Sequence, residues 1–105
     1  MFARLVEVLV KPGKHDEVMP VITNEVLPFL AKQPGFIDFI VLSSETDPNF
    51  VTTLSLWATK KESEESWASQ KFKTIIEPIA SMGELMVRTF NVEALVREAV
   101  LVMDS

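Results

Sequence analysis

The stretches of this chain that read as β-strands are apolar on both sides. Side chains alternate across a strand, so each run can be split into two faces. The run Phe2 to Val10 offers Phe2, Val6, Val8 and Val10 on one face and Ala3, Leu5 and Leu9 on the other. Phe36 to Ser44 splits into Phe36, Ile40 and Leu42 against Ile37, Phe39 and Val41, and Phe50 to Thr59 into Phe50, Leu54 and Leu56 against Val51 and Trp57. Two main helices can cover one face of such a sheet. An apolar face left wet would be a patch of several hundred Å². Covering about 600 Å² at about 25 cal/mol per Å² is worth on the order of 15 kcal/mol before association costs. The chain is therefore expected to form a homodimer, sheet against sheet. A monomer whose own tail covers the second face is the alternative.

The order of elements follows from turn and periodicity signals. The first strand ends at Lys11-Pro12-Gly13, a strand-then-turn pattern. Val18, Ile22, Val26, Phe29 and Leu30 then recur at helical spacing. Pro20 and Pro28 interrupt that pattern, which predicts a kinked or two-piece helix. It stops at Pro34-Gly35. Glu45-Thr46-Asp47-Pro48-Asn49 joins the next two strands as a hairpin turn. Thr59 with Glu62 makes a capping box, so a second helix starts near Lys60 and carries Trp67, Phe72, Ile75, Ile76 and Ile79. Leu85 to Val92 reads as the last strand. The sequence βαββαβ predicts an α+β, ferredoxin-like domain with a four-stranded antiparallel sheet over residues 1–92. The tail, 93–105, fits either a helical stripe (Leu95, Val96, Ala99, Val100, Met103, with Glu93 and Arg97 as an i,i+4 pair) or a strand near Ala99 to Met103. It is apolar enough to pack on the body or on a partner subunit.

Composition narrows the function. With 10 basic against 15 acidic residues and a net charge of -5, and no basic cluster beyond Lys60-Lys61, nucleic acid is not an expected partner. The absence of cysteine removes disulfides, thiol nucleophiles and thiolate metal sites. His15 is the single histidine; it sits beside Asp16 and Glu17 and reads as a surface residue. No apolar run reaches the roughly 18 residues of a membrane span, and Arg4 and Glu7 interrupt the N-terminal run, which lacks the form of a signal peptide. A cytoplasmic, membrane-free protein is the expectation.

Several of these features occur together in the antibiotic biosynthesis monooxygenase family. They are Lys11-Pro12-Gly13, the Val26-Leu27-Pro28 step, Gln33-Pro34-Gly35-Phe36 before the second strand, and Leu56-Trp57 ending the third strand, followed by a helix containing Ser69 and Phe72. The chain resembles that family over residues 1–92. The resemblance implies a dimeric α/β barrel with a small apolar pocket between sheet and helices in each subunit. In haem-degrading relatives a first-strand Asn, the Trp of the third strand and a late His of the second helix line the pocket; here those positions are Val6, Trp57 and Ile76, which argues against haem degradation. Quinol-oxidising relatives pair the Trp with an Asn four residues earlier, where this chain has Thr53, and also draw on tyrosine, of which it has none.

The resemblance thus points to an oxygenase without metal, flavin or haem, acting on a small aromatic or quinol-type metabolite. Trp57 is its leading pocket residue, since a flat indole can stack such a substrate and exclude water; the plain alternative is a core tryptophan. Thr53 and Ser55 share the face of Trp57 and are candidates to orient a polar substrate group. Arg4, on the face of Val6, is a candidate partner for a phenolate or carboxylate, or else the cation of a salt bridge. Asp38, set among apolar residues, is a candidate base; its plainer reading is a bridge to Arg4 or Arg88. Trp67 and Phe72 are candidates to close the pocket. Glu62, Glu64 and Glu65 read as a solvated first helical turn favoured by the helix dipole. A binding module or a structural dimer of the same fold remains the non-enzymatic alternative.

Overall fold

A computed structural model describes residues 1–97 and 100–103. The most apolar strand, β1 (Phe2–Val10), lies inside the sheet, because its Val- and Leu-rich backbone can be hydrogen-bonded on both edges there. It pairs antiparallel along its length with β3 (Phe50–Trp57) and with β4 (Gly83–Asn91). β2 (Phe36–Ser43) lies outside β3, giving the order β2-β3-β1-β4. The helices are α1 (His15–Val21), α2 (Leu27–Ala31), α3 (Lys60–Ala68) and α4 (Gln70–Met82). The α+β, ferredoxin-like architecture is the one expected. No described helix is long and apolar enough to cross a membrane.

The proline-flanked helix resolves as two pieces joined by a wide π turn, Ile22–Val26. Leu27 donates its N–H five residues back to the Ile22 carbonyl. Pro28 has no N–H to offer, so the α-helical ladder cannot run unbroken through this point. The turn directs Ile22 and Val26 inward, where both are buried.

Register decides which residues share a face. On β1, Arg4 stands between Ser55 and Thr89, Val6 between Thr53 and Val87, and Val8 between Val51 and Leu85. This face lies under the helices and forms the core with Val18, Leu30, Trp57, Phe72 and Ile79. Strict alternation fails in β2. Phe36 pairs with Trp57 and Asp38 with Leu56, leaving Ile37 as the extra residue of a bulge. Phe36 therefore joins Phe39 and Val41 against the core, and Asp38 joins Ile40 and Leu42 on the outer face. On that outer face Leu9, Ile40, Leu42, Met86 and Phe90 are 44% to 52% exposed.

The second helical region also differs from the single helix expected. Thr59 caps α3, its hydroxyl accepting from the Glu62 N–H at 3.2 Å and donating to Glu62 Oε1 at 3.0 Å. Ser69 adopts φ -59°, ψ 134° and breaks the helix. Its hydroxyl caps α4 by accepting from the Phe72 N–H, so Ser69 lies between helices rather than within one. The tail forms a hairpin of β5 (Ala94–Arg97) and β6 (Val100–Met103) instead of a helical stripe; Ala99 lies outside the described residues. Arg97 pairs with Asp38 on the outer sheet face, not with Glu93.

Gly35 turns the chain into β2 at φ +77°, and a Cβ there would overlap the Glu62 carboxylate. Gly35→Ala is expected to destabilise by about 1–2 kcal/mol through the left-handed backbone, plus the loss of Glu62 from its Thr59 cap. Urea titration would show the excess: in a Glu62→Ala background the Gly35→Ala cost should fall, and an unchanged midpoint in either background would refute the account.

Candidate functional site

Arg4 occupies the middle of the helix-covered face and is 3% exposed. A guanidinium at that depth is expected to carry a carboxylate partner. Here it has none within ion-pair distance among the described residues, so the expected salt bridge is replaced by another arrangement. Its Nη1 donates to the Ser63 carbonyl at 2.8 Å and reaches the Ser66 and Ser63 hydroxyls at 3.2 and 3.4 Å. Three rings surround the cation, with Trp67, Trp57 and Phe72 centroids 4.9, 5.2 and 5.7 Å from Cζ. Ring quadrupoles attract a cation at these distances. Burial nonetheless lowers the Arg4 pKa to about 10, which leaves it charged at neutral pH. The Nε and Nη2 donors make no hydrogen bond with the described residues. Yet no fully buried side-chain nitrogen or oxygen among the described residues lacks a partner. Those donors therefore keep a trace of solvent contact.

Two hollows lie between sheet and helices and share Trp67 as a wall. The inner one, about 30 Å³, is lined by Val6, Val8, Thr53, Phe72 and Ile76 and by Ile22 and Val26 of the π turn. Its polar group is the Thr53 hydroxyl, which makes no hydrogen bond within the described chain. A water there would lack the 2–4 partners that hold buried waters. The outer one, about 130 Å³, is lined by Arg4, Ser63, Glu64, Val87 and Thr89 and opens beside the edge strand β4. That is of the order of the roughly 150 Å³ apolar cavity that takes a benzene ring. A larger groove of about 400 Å³ runs among the turn segments Leu9–Pro12, Asp47, Asn49, Gly83 and Glu84. It is open, carries no aromatic wall, and lies away from the buried cation.

The structure brings Arg4, Thr53, Trp67 and Phe72 together at these hollows. Trp57 lines neither. It is 0% exposed, its Nε1–H donates to Ser55 Oγ at 2.8 Å, and Phe36 meets it edge-on at 5.7 Å, so it forms the floor beneath Arg4. Ser55 is committed too, its hydroxyl donating to the Arg4 carbonyl. Asp38 lies on the opposite sheet face; the bulge at Ile37 puts it there, and Arg97, not Arg4 or Arg88, pairs with it. His15 stays in the first turn of α1 against Asp16 and Ser43. Glu64, expected only as part of a solvated helical turn, lines the outer chamber, and Val87 and Thr89 had no mark in the sequence. Glu64 stands at the chamber rim, with Lys60 3.7 Å away, because α3 crosses β1 there. No group of three or more His, Asp or Glu among the described residues could hold a metal ion.

The antibiotic biosynthesis monooxygenase family model matches residues 1–78. The chain belongs to the antibiotic biosynthesis monooxygenase family. Solved structures of low sequence identity share its fold. SnoaB from Streptomyces nogalater, a cofactor-independent oxygenase, superposes in a mutant form with a TM-score of 0.83 at 18% identity, over 92% of this chain and 97% of its own. A conserved protein from Methanosarcina mazei gives 0.76 at 24% identity over 86% and 91%, and a protein from Shewanella oneidensis 0.74 at 18% over 85% and 87%. No functionally curated protein matches. In this member of the antibiotic biosynthesis monooxygenase family, the two positions carried over from haem-degrading relatives, Val6 and Ile76, both line the inner hollow. Both are apolar.

A desolvated cation without a carboxylate is costly to the fold, and buried charges are often replaced by apolar residues with no loss. Ser66 already donates to the Ser63 carbonyl at 2.8 Å, so those groups keep a partner without Arg4. Arg4→Met is therefore expected to leave stability unchanged or raise it by about 1–2 kcal/mol. A loss of more than about 2 kcal/mol in urea unfolding would mean that Arg4 is a structural element.

Proposed function

We propose that the chain is a monooxygenase of small aromatic metabolites, in which one substrate ring occupies the outer chamber and O2 the inner hollow. The observation that carries this reading is the pairing of the two spaces: a ring-sized chamber with charged groups beside a dry hollow the size of one small molecule. An apolar space with a lone hydroxyl disfavours water and suits O2. Rotation of Trp67, their common wall, joins them.

The substrate is a ring CH2 or phenol-type carbon flanked by activating groups. Glu64, the carboxylate that lines the chamber, takes its proton. O2 adds to the resulting carbanion, and the peroxide takes up a proton. For a CH2, loss of water then leaves a carbonyl, with one oxygen atom in the product and one in water. The substrate carbon supplies the four electrons. Thr53 orients the oxygen end by hydrogen bonding. Ser55 and Trp57 act beneath this site, by fixing the main chain and ring plane against which Arg4 rests.

Oxygen consumption with a panel of quinols, phenols and aromatic ketones tests the reading. At least one compound is expected to raise uptake above the buffer rate, and Val87→Trp, which fills the outer chamber from its half-exposed edge, should abolish the increase. Binding of the panel without oxygen uptake would favour a non-catalytic binding module of the same fold.

The same reading includes a homodimer. The outer face exposes Leu9, Ile40, Leu42, Met86 and Phe90 around the Glu7–Arg88 pair, and the Arg97–Asp38 pair ties the end of β5 to it, where the tail can also meet the partner. Sedimentation at micromolar concentration is expected to give a dimer. The double variant Leu42→Glu, Met86→Glu should sediment as a monomer, since like charges in an apolar interface cost several kcal/mol. A folded wild-type monomer would sink this part.

A further inference from the structure

We propose that Arg4 is an anion anchor, so that the ligands of the outer chamber are aromatic molecules bearing an ionised oxygen substituent such as a carboxylate. This rests on the reading of that chamber as the ligand site and names the class of molecule it selects. The argument starts from what Arg4 lacks. A guanidinium offers five N–H donors in a rigid fork. Nη1 is taken by Ser63 and Ser66; Nε and Nη2 remain, and Arg4 lines the chamber. The nearest acid, Glu64, lies on the chamber wall but is held near Lys60 and forms no ion pair with Arg4. The cation thus sits in a ring-lined niche, its charge met by π faces and serine oxygens and by no carboxylate among the described residues.

That arrangement orients the fork without satisfying it. The ring stack and the two serines fix the guanidinium plane, so no side-chain freedom is lost when an anion arrives. Trp67 and Val87 supply apolar walls at the same chamber, and Thr89, opposite Arg4 in register, adds a hydroxyl. An aromatic carboxylate meets all three features at once: ring against Trp67, oxygens on the free donors, and a second hydrogen bond from Thr89. A neutral amide of the same shape meets the walls but not the charge. An aromatic cation meets the walls and is repelled by the charge.

The experiment is a binding titration read by tryptophan fluorescence and checked by calorimetry, with benzoate, benzamide and benzylamine as probes on the intact protein. Benzoate is expected to bind at least about tenfold more tightly than benzamide, and benzylamine more weakly than either. Arg4→Met should weaken benzoate by about tenfold or more while moving benzamide by less than about twofold. Val87→Trp should weaken both. Arg4→Lys, which keeps the charge but not the planar fork, should fall between wild type and Arg4→Met. Equal affinities for benzoate and benzamide, failure of all three to bind, or equal losses for both in Arg4→Met would overturn the proposal. Because no turnover is needed, anion-selective binding without oxygen uptake would sink the oxygenase reading and leave the anchor standing. Uptake with neutral substrates alone would do the reverse.

Discussion

Every position discussed above is set by the register of the central strand β1 against its two neighbours. Hydrogen bonding on both edges leaves the strand no freedom to slide, since a one-residue slip would send Arg4, Val6 and Val8 to the outer face and Leu5 and Leu9 into the helix layer. With the register as it is, the arginine falls between Ser55 and Thr89 and comes under α3. The stacking of Trp57, Trp67 and Phe72 about its cation, the serine contacts and the chamber mouth all follow from that placement. The sheet thus positions a charge in a layer otherwise made of hydrocarbon and a few hydroxyls.

The consequence is a site with a graded environment. At the inner end the walls are valine, isoleucine and phenylalanine with one hydroxyl; at the outer end a cation and a carboxylate stand near solvent. Oxygen chemistry without a cofactor depends on such a gradient, because the anion that reacts must be formed where charge is tolerated and oxidised where water is scarce. The family match and the shared fold concern the scaffold; the residues that line these hollows are this chain's own.

Much of the architecture was readable from the residues. β1 and β3 alternate cleanly, their turn residues are unambiguous, and the Thr59 cap marks the start of α3. Three features were not readable, each for a physical reason. The bulge at Ile37 adds one residue to β2, and since both faces of this strand are largely apolar, hydrophobic pattern cannot reveal it. That single residue moved Asp38 from candidate base to the outer face. The break at Ser69 depends on one backbone torsion, and both flanking segments have helical periodicity. In the tail, helical and strand patterns were equally good, and pairing between Ala94–Arg97 and Val100–Met103 decided the matter. At the site, Arg4, Thr53, Trp67 and Phe72 could be named from face and family. Glu64, Val87 and Thr89 could not, because a helix start and an edge strand 25 residues apart meet only in the folded chain.

The π turn between Pro20 and Pro28 has a further implication. A π turn holds one residue more than the α-helical turn it replaces, so it marks a place where chain length can change without altering what lies beyond. Loss of one residue there would tighten the wide turn, with the gap in the ladder at Pro28 remaining, and swing Ile22 or Val26 away from the hollow. Descendants of this chain could therefore resize the innermost space by a single-codon deletion, leaving the sheet, the arginine and the outer mouth as they are.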